Sequence, residues 1–183
     1  MKLYHGTTVS DLEILQAASR DRDGNPVLYL TDRYAYSLFY IRDREISFVT
    51  CGVGVDGTVN YDEKFPEQLE MLYRGMSGWV YEVEVDAMPG KVNGIYIVQG
   101  DATITGKTYI PDVFDAIQRE ITRGTVKLLA YEDTTPAQRA LNREGMVRLF
   151  LSERNMPPKK EAFFRKYFPE SWEEAKKRNL DKS

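Results

Sequence analysis

The chain has 183 residues, of which 42% are hydrophobic and 12% aromatic, with a formal net charge of −3. That length and apolar content argue for a folded globular chain with a buried core, while one cysteine, Cys51, and one histidine, His5, exclude an internal disulfide framework and a Cys/His zinc cluster. The charge is uneven: residues 1–135 carry −8 and residues 136–183 carry +5. No apolar run approaches the roughly 18 residues of a membrane helix, and Met1-Lys2-Leu3-Tyr4-His5 has no apolar h-region of a secretory signal. A cytoplasmic protein without a metal is expected.

In chain order, residues 2–5 predict a strand and 9–18 a short helix begun by Ser10 or Asp11. Residues 27–31 predict a second strand, and 32–41 an amphipathic helix with Asp32 as its N-cap. Two extended segments within 46–61 flank Asp56-Gly57, a hairpin signal because both positions tolerate positive φ. A helix over 66–75 is framed by Pro66 and Gly75. Strands follow near 79–86, 93–98 and 102–109, then a helix from Pro111 to about Arg123, stopped by Gly124, and a strand over 125–131. Beyond Pro136 the pattern is helical: one helix over 136–154, a break at Asn155-Met156-Pro157-Pro158, and one or two more over 159–180 around Pro169. The basic tail holds Phe163, Phe164, Tyr167, Phe168 and Trp172 at spacings of buried helix faces, so docking on its own acidic body is favoured over a nucleic-acid or acidic partner. The order is α+β.

Two segments carry the functional signal. Leu3-Tyr4-His5-Gly6-Thr7 is an apolar strand ending in His-Gly-Thr, and Val27-Leu28-Tyr29-Leu30-Thr31-Asp32 is a strand running into the helix that holds Ser37 and Tyr40. Each residue alone has an ordinary structural explanation, such as a boundary tyrosine or a glycine turning a strand end. Their conjunction resembles the ADP-ribosyltransferase family of the poly(ADP-ribose) polymerase type, as in small stand-alone bacterial members. The match is firm over residues 2–40 and fades afterward. The resemblance implies a split antiparallel sheet around a cleft over residues 1–135, with 136–183 as a helical extension packed on it. It also implies NAD as the substrate. His5 would bond a ribose hydroxyl, Gly6 and Ser37 the nicotinamide carboxamide, and Tyr29 and Tyr40 would sandwich the pyridinium. Thr7 and Thr31 stand at the family's small hydroxyl positions of the same pocket.

Breaking the nicotinamide–ribose bond passes through an oxocarbenium-like transition state, which needs a held leaving ring and a negative group near the anomeric carbon. A cation over an aromatic face is worth roughly 0.5 to 2 kcal/mol. Transferases of the resembled family place a Glu at the start of a late strand. The counterpart here, Gly106-Lys107-Thr108-Tyr109-Ile110, puts Thr108 there, which accepts a hydrogen bond but brings no charge. Glu82 and Glu84 alternate on one strand and have the Glu-x-Glu spacing of cholera-toxin-like transferases, but His5 and Leu30-Thr31-Asp32 do not fit that group's Arg and Ser-Thr-Ser. A solvated strand face explains that pair better. Glu120, in a helix, and Glu132, at a strand end, have no supporting motif.

Three functions compete: mono-ADP-ribosylation or NAD cleavage with release of nicotinamide, a pentosyl transfer; an inactive relative that binds NAD or ADP-ribose; and an RNA 2′-phosphotransferase-like enzyme. The last requires arginines and a second His-containing segment, which a one-histidine chain does not supply. The acceptor, whether protein, nucleic acid or water, is not legible, because acceptor contacts come from variable loops.

Overall fold

A computed structural model describes residues 1–46, 48–86, 90–153 and 155–180. In chain order it contains β1 Lys2–Thr7, β2 Ile14–Leu15, β3 Ser19–Arg20, β4 Pro26–Leu30, α1 Tyr34–Leu38, β5 Cys51–Val53, β6 Val59–Asp62 and α2 Gln68–Tyr73. There follow β7 Gly78–Glu84, β8 Gly90–Val92, β9 Ile95–Gln99, β10 Ala102–Ile110, α3 Val113–Thr122, β11 Val126–Leu129, α4 Pro136–Ser152, α5 Pro158–Tyr167 and α6 Pro169–Leu180. The fold class is α+β. Residues group into two compact units: 1–42, 51–61 and 69–128 form the first, and 43–50, 62–68 and 129–183 the second.

In the first unit two four-stranded antiparallel sheets have the orders β1-β7-β10-β2 and β3-β4-β9-β8. Alternation along each strand decides its faces. β4 buries Val27, Leu28 and Leu30 and leaves Tyr29 42% exposed. Leu3, Leu28, Leu30, Tyr81 and Val83 make one core, and Leu38, Phe39, Ile41, Tyr61, Tyr73 and Ile117 belong to another. Each fully buried aliphatic or aromatic side chain contributes about 1.5–3 kcal/mol. In the second core Phe39 stacks on Tyr61 at 5.2 Å, and the Tyr73 hydroxyl donates to the Phe39 carbonyl at 3.2 Å, so the buried phenol is satisfied.

α3 buries Val113, Ala116, Ile117 and Glu120, the spacing of one helical face. The buried Glu120 is neutralised by Arg123 at 2.6 Å and bonded by the Thr125 hydroxyl at 2.6 Å. Asp112 caps α3 by accepting from Asp115 N and also accepts from Gly75 N, tying the helix start to the turn that follows α2. Gly57, in the β5–β6 turn, has φ +80°. The hairpin, the strands near 79–109 and the helix stopped by Gly124 all form close to their expected places.

Two local expectations are corrected. Residues 9–18 form no helix. Asp11 sits at φ +55°, and Ile14–Leu15 pairs with Ala102 and Thr103 of β10. The buried Tyr81 hydroxyl accepts from Leu12 N and donates to Val9 O, so the segment's backbone finds partners on the sheet that a short helix, with its costly nucleus, cannot better. Asp32 does not cap the following helix either. α1 starts at Tyr34 with Arg33 at the N-cap and no side-chain bond, while the Asp32 carboxylate accepts from the Tyr96 hydroxyl at 3.1 Å. Thr31 Oγ1 accepts from Arg33 N instead.

The second unit is held by rings. Phe48 meets Phe163, Phe164 and Phe168, and Phe65 stacks on Tyr167 at 4.4 Å. The aromatics of the basic tail thus bury themselves against two residues from early in the chain. Thr135 and Gln138 form a reciprocal capping box at the start of α4. Glu144 on α4 receives both Nη atoms of Arg178 on α6 at 3.0 Å, which lowers the carboxyl's pKa and raises that of the guanidinium. Lys159 bridges Asp43 and Glu45. No helix among the described residues is long and apolar enough to cross a membrane.

Gly6 is indispensable to this packing. A Cβ there would lie 1.9 Å from the Ser37 carbonyl oxygen, a backbone atom that cannot swing aside. Gly6→Ala is expected to destabilise the protein by about 3 kcal/mol or more in urea unfolding, as overpacking against backbone does; a loss under 1 kcal/mol would show that α1 shifts freely. Burial pushes the Cys51 thiol up to about 12. Cys51 is therefore expected to resist alkylation in the native protein at pH 8 and to react fully after denaturation, which a timed thiol assay checks.

Candidate functional site

A single pair of backbone bonds builds the site. Tyr4 N donates to Thr31 O at 2.7 Å and Thr31 N to Tyr4 O at 3.1 Å, an antiparallel bridge that lays the end of β4 against β1. His5 and Gly6 are thereby set beside Tyr29 and Thr31. Gly6 then lets Ser37, on α1, approach the strand in a way no side chain would permit, and the chain after α1 brings in Tyr40.

The result is one cleft lined by Tyr4, His5, Gly6, Tyr29, Leu30, Thr31, Tyr40 and Ile95. Five of the eight sequence-selected residues therefore share it. Its volume is about 10 Å³, room for roughly one water. The half-exposed ring of Tyr29 borders this volume.

His5 Nδ1 lies 3.5 Å from the Tyr29 carbonyl oxygen. A protonated Nδ1 points its donor at that carbonyl and makes Nε2 the acceptor of the ring. Tyr40 is more deeply placed. Burial, and next the hydrogen bond with Tyr36, raise its phenol far above the ordinary range, so the ring stays neutral. Tyr36 packs on it edge-on at 5.5 Å, and the Arg42 guanidinium lies 5.2 Å from its centroid. Tyr40 already holds one cation over its ring.

The other selected residues lie outside the lining. Ser37 is fully buried behind Gly6, and its hydroxyl donates to the Tyr34 carbonyl at 2.7 Å. Thr7 is buried, with Oγ1 accepting from Val9 N at 3.2 Å. Thr108 on β10 is exposed and pairs with Val80, whose other neighbour is Gly6, so two strand spacings separate it from the glycine. None of the residues lining the cleft is a carboxylate. Glu82, two residues on from Val80 and opposite Tyr4 and Gly106, is bound to Lys2 at 2.6 Å.

Sequence reasoning did not select Tyr4, Leu30 or Ile95. Tyr4 and Leu30 stand directly beside selected residues in the two quoted segments. Ile95 arrives only through the pairing of β9 with β4, which no local signal announces. Tyr4 also borders a larger cleft of about 390 Å³ lined by Asp32, Asp56 and Glu120, which pair with Arg33, Lys127 and Arg123 respectively. No protein-family model, no curated protein and no solved structure matches the chain.

Proposed function

We propose that the cleft between β1 and β4 is a nicotinamide slot, and that the protein binds NAD and cleaves it as an ADP-ribosyltransferase-like enzyme of the mono-transferring or hydrolysing kind. The observation that carries this reading is the convergence of His5, Gly6, Tyr29, Thr31 and Tyr40 on one lining. The pyridinium would enter between Tyr29 and the Tyr40 face away from Arg42, with the carboxamide meeting the Gly6 backbone. His5 Nε2 would accept from a ribose hydroxyl. The ADP half would then run outward past His5.

In the reaction the C1′–N bond breaks, its electron pair leaves with neutral nicotinamide, and an acceptor oxygen attacks C1′ and loses its proton to solvent. Holding the ring and ribose lowers the barrier through orientation. None of the described residues lining the cleft brings a carboxylate to the developing cation, and loss of one such group typically slows a reaction about 10²- to 10³-fold. Turnover is therefore slow. That absence, with Thr108 in the family's Glu position, also favours a second reading, in which the protein binds NAD or ADP-ribose without cleaving it.

Incubation with NAD, followed by chromatography, is expected to release nicotinamide, and Tyr29→Ala or His5→Ala to abolish the release. Release at full rate in both variants would remove the slot from the reaction. Calorimetry separates the two readings: saturable NAD binding with no nicotinamide released selects the second. Thr108→Glu is expected to raise turnover at least tenfold if position 108 reaches the ribose on NAD binding, and to leave it unchanged if another residue serves.

A further inference from the structure

The helical unit contains a cleft of about 400 Å³ that the NAD reading does not use. Three cations line it, Lys64, Arg139 and Arg143, together with the rings of Tyr131 and Tyr167 and one carboxylate, Glu170. Their partners leave much of this charge uncompensated. The Lys64 side chain is only 21% exposed, its ammonium donates to the neutral Asn142 Oδ1 at 3.1 Å, and the nearest carboxylate, Asp62, is 3.9 Å away. Arg139 donates to Thr134 Oγ1 and to the carbonyls of Tyr131 and Glu132, all neutral oxygens, and lies 4.6 Å over the Tyr131 ring. Arg143 has a close ion pair, with Glu170 at 2.8 Å.

We propose that this cleft binds the phosphomonoester of a small organic group. Three cations against Glu170 and, at the limit of ion-pair distance, Asp62 leave a net positive charge, which suits the −1.5 to −2 of a phosphomonoester near neutral pH. A concave wall concentrates that potential. Arg139 is fixed in place by its three bonds and stacking, so it presents the remainder of its fork without a large ordering cost. Small-molecule sites span about 300–1,000 Å³, so the volume here far exceeds a bare phosphate and the two phenol rings supply an apolar wall for an attached group. The bounded, concave form favours a small molecule over a polymer, which calls for a basic stripe. None of these residues belongs to the proposed nicotinamide slot, so the two sites stand or fall separately.

Calorimetry of the full chain at low salt, with phenyl phosphate, inorganic phosphate and phenol as probes, tests the proposal. Phenyl phosphate is expected to bind saturably at one site, at least tenfold more tightly than inorganic phosphate, with no binding of phenol. Lys64→Gln and Arg143→Gln should each weaken phenyl phosphate at least tenfold, whereas His5→Ala should bind it as the wild type does. The probe should also raise the wild-type unfolding temperature, a readout that does not depend on any variant folding. The absence of saturation and of a thermal shift in the wild type, or equal affinity in the wild type and both charge variants, would overturn the site. Inorganic phosphate binding as tightly as phenyl phosphate would overturn the organic group, and loss of binding in His5→Ala would overturn the independence of the two sites.

Discussion

The candidate site depends on the pair of hydrogen bonds between Tyr4 and Thr31, the bridge by which two separate four-stranded sheets meet. A bridge of this kind fixes register as well as distance, because slipping by one residue would turn every side chain to the opposite face. Gly6 adds the second constraint. With no Cβ, it allows the Ser37 carbonyl to come within what would be 1.9 Å of a side chain, and so α1 is drawn onto the strand. The cleft is the space that these two close approaches leave between β1, β4 and the chain that follows α1.

The chemistry of that space is aromatic and neutral. Tyr29 presents its ring at the surface, Tyr40 holds its proton because of burial, and no carboxylate stands in the lining. Such a wall suits a flat cation, whose charge is met by ring faces while it is shielded from water. It does little for a developing oxocarbenium ion, which needs a fixed negative group. Recognition and catalysis therefore make different demands on this fold, and the residues present serve the first better than the second.

The helical unit works on another principle. Its apolar cohesion comes from a ring cluster in which Phe48 and Phe65 anchor α5, and its polar surface is laced by pairs such as Glu144–Arg178 that are half exposed and individually weak. Three cations are diverted from that surface into a concavity. Arg139 has only neutral oxygens as its hydrogen-bond partners and the part-buried Lys64 has its nearest carboxylate 3.9 Å away, and for this reason the cleft reads as a place for an anion.

The sequence alone determined the class of most elements, because hydrophobic period, caps and turn residues are local. The Asp56-Gly57 hairpin, the α3 stripe and the helix breaks at Pro157–Pro158 and Pro169 lie close to where their residues put them. It also marked His5, Gly6, Tyr29, Thr31 and Tyr40 as a set, since two short segments carried all five. Tertiary structure decided the rest. Residues 9–18 gave up a helix for partners on β10 and the Tyr81 hydroxyl, Asp32 left its capping role for Tyr96, and Ile95 reached the cleft through the β4–β9 pairing. Each of these rests on contacts between residues at least 60 positions apart in the chain, or on a sheet neighbour that no local pattern names. The Lys64, Arg139 and Arg143 cleft is the extreme case: a lysine and two arginines of the distant helix α4 become a site only when the chain has folded.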